Sequence, residues 1–151
     1  MELVLTFNNL PPMPRNRSHM LAIRDKRPMN IKTPLARDFE NDVGVLMGKF
    51  SEDIKSFVSN FDKKKHYIKA EYYFYTPEDI LITKDGHISS KSVDTDAHKV
   101  FRDSIYRCLN LDDKLERDSR FFTPISWDDN HHVVVTLKLE SLSCLNLNLS
   151  F

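Results

Sequence analysis

Leu3, Val4, Leu5 and Phe7 alternate loosely with polar residues at the start of the chain, which predicts a strand over Met1–Phe7. Pro11, Pro12 and Pro14 follow. Each fixes φ and removes a backbone donor, so residues 8–17 read as an extended loop displaying Arg15 and Arg17. Residues 18–31 fit either a short strand pair or a flap. From Thr33 the period changes. Thr33 can cap a helix that has Pro34 at its first position. Leu35, Phe39, Val43, Leu46, Phe50, Ile54, Phe57 and Phe61 then recur at steps of three and four, one continuous packing stripe. Unbroken, that helix would be about 40 Å long at 1.5 Å per residue. Gly44 and Gly48 allow a bend near its middle, and Ser51 can cap a second segment.

Lys63–Lys65 reads as a solvated turn, and His66–Tyr75 as a central strand closed by Pro77, Glu78 and Asp79. Ile80–Thr83 and His87–Ser92 flank Lys84, Asp85 and Gly86, which predicts a hairpin. A helix is predicted over 97–109, with Ala97, Val100, Phe101, Ile105, Cys108 and Leu109 buried. Ser119–Trp127 reads as a strand interrupted by Pro124, Asp128–Asn130 as a turn, and His132–Leu139 as the clearest strand. The tail alternates leucine with polar residues, as an edge strand or a contact with a second copy would. Together these elements predict one α+β domain over residues 1–151, a mixed sheet packed against a long N-terminal-half helix and a short acidic helix.

Composition narrows the class. Hydrophobic residues make up 40% and charged residues 29% of the 151, a globular balance. No apolar run approaches a membrane span, so no membrane partner is expected. The N-terminus lacks the basic flank and small-residue cleavage site of a signal peptide, which points to a cytoplasmic protein. Cys108 and Cys144 form neither a CxxC pair nor a disulfide framework. The six histidines lack zinc-ligand spacing, and the adjacent His131 and His132 cannot point the same way in a strand. Net charge is zero, yet residues 1–37 hold seven basic residues against two acidic ones, a local +5. A basic arm on a chain that is otherwise acidic suits a protein that grips phosphates and also holds a cation.

The candidate chemistry lies between Val93 and Asp113. Asp94 and Asp96 precede the helix that carries Lys99 and Asp103, and Asp112 and Asp113 follow its end. If the chain folds back, the two acidic clusters meet. Crowded carboxylates repel unless a hard cation lies between them, and Mg²⁺ takes oxygen ligands, so the pattern suggests a metal site for phosphoryl chemistry. The same acids also fit a solvated helix whose N-terminal carboxylates complement the macrodipole. Lys99 equally fits a helix ion pair with Asp103 at i, i+4.

In order, Asp94, Asp96, Lys99, Asp103 and the pair Asp112–Asp113 resemble the core of the RusA family of Holliday-junction resolvases. LPPMPRNR, KTPLARDF and EYYFYTP agree with the family's flanks, and the likeness extends over about residues 4 to 140. The resemblance implies a small, homodimeric endodeoxyribonuclease that depends on Mg²⁺, or Mn²⁺ in its place, and resolves four-way or other branched DNA by paired nicks in a bacterial or phage-infected cell. Asp94, Asp96, Asp112 and Asp113 would be metal ligands, Asp94, Asp96 and Asp113 of them catalytic, Lys99 would stabilise transition-state charge, and Arg15 and Arg17 would contact DNA phosphates. The chain departs from the family at Ala97, where Asn is usual, in Lys99 lying one residue closer to Asp96, and at Leu115 and Glu116. These departures leave Asp118 as a rival to Asp113, and a catalytically inactive branched-DNA-binding protein as the alternative function. A phosphatase of the DxDx[TV] type fits less well, because His98 stands where Thr or Val is required.

Overall fold

The computed structural model describes residues 1–10, 19–88, 97–122, 125–126 and 130–149. Strand β1 (Glu2–Asn8) buries Leu3, Leu5 and Phe7, while Val4 between them is exposed and Thr6 half-buried. Parity of this kind is what a sheet with one covered face demands. The ribbon of β2 (His19–Arg24) and β3 (Arg27–Lys32) stands apart from the main sheet. Asp25 and Lys26 at its tip have φ of 50° and 63°, the two positive values that a type I′ hairpin turn requires. Of the two readings of residues 18–31, the strand pair is the one observed.

Thr33 caps α1 (Pro34–Met47), its hydroxyl accepting from the Ala36 amide at 3.2 Å. Phe39, Val43 and Met47 of α1 are buried. A 3₁₀ turn over Gly48–Phe50 leads into α2 (Ser51–Asn60), so the anticipated bend falls at Gly48. Ser51 is not the cap. It is already helical, and its amide donates to the Gly48 carbonyl, so the incoming turn serves the new helix without a side-chain acceptor.

Strand β4 (His66–Pro77) is flanked on one side by the antiparallel β7 (His132–Ser141), which in turn pairs antiparallel with β1. Its other edge takes β5 (Glu116–Phe122) and the short β6 (Ile125–Ser126), both parallel to it. The sheet is therefore mixed and packs against the helices, an α+β fold.

Three local expectations change. Ile80 and Leu81 belong to a one-turn helix, α3 (Glu78–Leu81), rather than to a hairpin arm. Glu78 and Asp79 favour that first turn, and among the described residues the pairing here is a single Ile82–Ile88 bridge around Gly86 at φ 82°, residues 89–92 of the expected second arm lying outside them. The tail is helix α5 (Leu142–Leu149), not an edge strand. Leucine is a strong helix former, and the Ser141 hydroxyl accepts from the Ser143 amide at 3.3 Å where β7 ends. Cys108 is exposed rather than buried, because it lies beyond the 101/105/109 line of α4 (Ala97–Leu109).

Phe101 of α4 is the hub of the core. It meets Phe7 of β1 at 5.1 Å, Phe74 of β4 at 5.8 Å and Phe39 of α1 at 6.2 Å, each edge-to-face. Such pairs are worth about 0.5–1.5 kcal/mol beyond burial. No helix among the described residues is long and apolar enough to cross a membrane. Because three elements converge on one ring, Phe101→Ala should cost about 3–5 kcal/mol, read as a lowered urea midpoint. A loss below about 1 kcal/mol would show that the helix is not anchored there.

Candidate functional site

Helix α4 ends in a reversal that its sequence encodes. Asn110 takes φ 55°, its amide donates to the Arg107 carbonyl, and the Leu111 amide donates back to Tyr106. This is a Schellman closure with Asn in the left-handed position and apolar Leu111 beyond it. The chain then runs back alongside α4 through a 3₁₀ turn at Asp113–Leu115. Asp112 caps that turn by accepting from the Lys114 amide at 3.0 Å, a bond that holds its carboxyl below the usual range.

The reversal sets Asp113 beside the middle of α4. Its Oδ2 lies 3.6 Å from Nη2 of Arg102, and its carboxyl is within hydrogen-bonding reach of Asp103. Partial desolvation raises the carboxyl of Asp103, an exposed residue, above its ordinary value. The negative charge of Asp113 raises it further, and Arg102 opposes both.

Beneath this pair is Glu116, a carboxylate that the sequence pattern marks only as a departure. The Glu116 side chain is fully buried, with 0% exposure. Its Oε1 accepts from the hydroxyls of Tyr72 at 2.5 Å and Tyr106 at 2.9 Å. Its Oε2 accepts from Ser119 Oγ at 2.7 Å and faces Arg102 Nη1 at 3.5 Å. One guanidinium thus spans buried Glu116 and the outward Asp113. Burial, then the charge of Glu116, pushes both tyrosine hydroxyls well up, so they remain donors at any ordinary pH. No spacing signal reveals this cluster, since its members come from β4, α4 and β5.

The same strand decides where Asp118 points. β5 carries a bulge: Ile68 pairs with Glu116, and the next residue, Lys69, pairs with Asp118, leaving Arg117 as the extra residue. Glu116 therefore faces α4, whereas Asp118 turns to the opposite face and meets Lys69 at 3.7 Å. Beyond the bulge, Phe121 stacks on Tyr72 at 4.8 Å and contacts His98 of α4, while Phe122 stacks on Tyr73 of the outer face.

Lys99 is exposed, one turn before Asp103, and no Lys99–Asp103 ion pair occurs among the described residues. Asp103 turns toward Asp113 instead. Asp94 and Asp96, like Arg15 and Arg17, lie outside the described residues. Among the described residues no three His, Cys, Asp or Glu side chains form a metal cage. Asp103 and Asp113 offer oxygen only, the donor type that a hard divalent cation takes. No protein-family model matches the chain, and no curated protein is similar to it.

Two outcomes are expected here. Glu116→Ala would strand two buried hydroxyls and a guanidinium, a loss of about 3–5 kcal/mol in urea denaturation. Glu116→Gln, which keeps an acceptor, should lose less. Asp103 behaves in the opposite sense. Its folded carboxyl titrates above the unfolded value of about 3.9, so folding favours the protonated form. That contribution is present below the unfolded value and lost as pH rises through the folded one. Asp103→Asn should therefore raise the urea midpoint at pH 7, with the gain vanishing near pH 4. An equal gain at both pH values would place the effect elsewhere.

Proposed function

We propose that this chain is a Mg²⁺-dependent endodeoxyribonuclease acting on four-way and other branched DNA by paired nicks, as its resemblance to the RusA family implies. The observation that carries the reading is the return of Asp113 to the flank of α4. That helix begins immediately after Asp96, and Asp103 lies about 9 Å along the axis from its first residue. A carboxylate from beyond the helix is thereby set within two turns of the start of α4, which in sequence follows Asp94 and Asp96.

In this reading Asp94, Asp96 and Asp113 hold the ion, and Asp112 serves to fix the turn. Asp113 is preferred to Asp118 because the β5 bulge aims Asp118 across the sheet at Lys69. When bound, Mg²⁺ supplies an activated water and offsets charge on the leaving oxygen. Arg102, held by Glu116, fixes the Asp113 carboxylate and limits its repulsion with Asp103. Lys99, exposed on the same helix, stabilises charge that develops on the phosphate. A homodimer would present two such sites to the two symmetric phosphates of a junction. Arg15 and Arg17 would contact backbone phosphates and position the DNA.

The test is a synthetic mobile four-way junction incubated with purified protein and Mg²⁺ or Mn²⁺. Symmetric nicked duplexes are expected, and Asp96→Asn and Asp113→Asn should each cost several kcal/mol of barrier, at least about a hundredfold in rate, while junction binding persists. Undiminished cleavage by Asp113→Asn would remove it from the site. Binding without nicks across several junction sequences and both metals would favour the inactive junction-binding alternative, for which the altered positions Ala97, Leu115 and Glu116 are the motive.

A further inference from the structure

A cleft of about 540 Å³ opens between α1 and α4, lined by Lys32, Arg37, Glu40, Asn41, Arg107 and Cys108. Three cations face it against one carboxylate. Glu40 binds both Lys32, from the end of β3, and Arg107, whose Nη1 lies 2.8 Å from Glu40 Oε2. The Glu40 side chain is only 15% exposed, whereas Arg107 is 69% and Lys32 42% exposed. The carboxylate is thus the sunken anchor, and the cations stand over it with donors to spare. An ammonium has three N–H groups and a guanidinium five, of which Glu40 engages a minority. Arg37 stands exposed on α1 at the rim.

The cleft adjoins the carboxylates already described. Arg107 follows Asp103 by one turn on α4, and Lys32 is near enough for its charge to act on Asp103. Lys99, Asp103 and Arg107 form a single i, i+4, i+8 ridge about 12 Å long. The site is open, larger than one phosphate group needs, and continuous with that ridge. Such a shape suits a polymer passing through rather than an enclosed small anion.

We propose that the α1–α4 cleft seats the phosphodiester backbone of a nucleic-acid strand, with Arg37, Arg107 and Lys32 contacting phosphates and Glu40 holding the latter two in place. The identity of the strand as DNA rests on the nuclease reading; the anionic polymer site does not.

Counterion release gives the measurement. Each phosphate contact contributes about −0.9 to the slope of log K against log salt. In metal-free buffer, with a fluorescent four-way junction, Arg37→Gln and Arg107→Gln should each reduce the slope by about one and the pair by about two. Lys49→Gln/Lys55→Gln, an equal loss of exposed charge in the 3₁₀ turn and α2 away from the cleft lining, should leave it unchanged. The cleft also carries its own reporter. In a Cys144→Ser background, the exposed Cys108 is the only thiol, and bound junction should slow its alkylation by a bulky maleimide. Unchanged slopes in both arginine variants, or unslowed alkylation at saturating DNA, would overturn the proposal even if the protein cleaves junctions. Protection by inorganic phosphate equal to that by DNA would also overturn it, as a small-anion site. Reduced slopes and protection in a protein that never cleaves would uphold the cleft and remove the nuclease reading instead.

Discussion

A buried carboxylate organises this molecule. Taking Glu116 out of water costs several kcal/mol, and the cost is offset only because three hydroxyls and a guanidinium converge on its two oxygens. Those partners come from β4, α4 and β5, so satisfying one side chain fixes three elements relative to each other. Arg102 is ordered as a consequence. Its other amino group is then directed outward at Asp113. The geometry of the outward acids is therefore inherited from a node that is itself dry.

Two irregularities complete the placement, and each re-aims a carboxylate. The Schellman closure at Asn110 turns the chain back so that Asp113 returns to the middle of α4 instead of trailing away from its end. The bulge at Arg117 separates Glu116 from Asp118, which in a regular strand would share a face. Without the bulge Asp118 would turn toward the helix and compete for Arg102, and without the closure Asp113 would not reach it. The rest of the sheet is regular and serves mainly to hold Phe101 and its helix in place.

What could be read from the chain follows the range of the interactions involved. Periods of 3.6 and two are local, so α1, α2, α4, β1, β4 and β7 were legible, as was the Thr33 cap. The acidic flanks of α4 were also visible as a pattern. In the tail, leucine alternation at Leu145, Leu147 and Leu149 imitates a strand, whereas helix propensity after the Ser141 turn prevails. Cys108 was misassigned because hydrophobicity alone does not say which flank of a helix meets a cleft. Glu116 was invisible for a deeper reason. Its burial depends on Tyr72, forty-four residues away, and on a register shift that no local pattern announces.

The placement of Asp103 bears on how the acidic flank should be understood. A fold selected only for stability would gain by an amide at Asp103, where desolvation and the neighbouring charge of Asp113 both disfavour the ionised form. Instead the chain keeps two carboxylates together and spends Arg102 in partly screening them. Helix propensity does not require this, and neither does the core, which is satisfied by Phe101, Ile105 and Leu109 on the other side of α4. Unfavourable electrostatics kept beside a rigid support is consistent with the proposed reading, in which a bound cation would supply the missing charge. The basic cleft next to it has the reverse polarity, and the two together make a surface that alternates in sign over one helix ridge. A chain of zero net charge can therefore present strong local fields of both signs, which is what a divalent ion and a polyanion on the same face would demand.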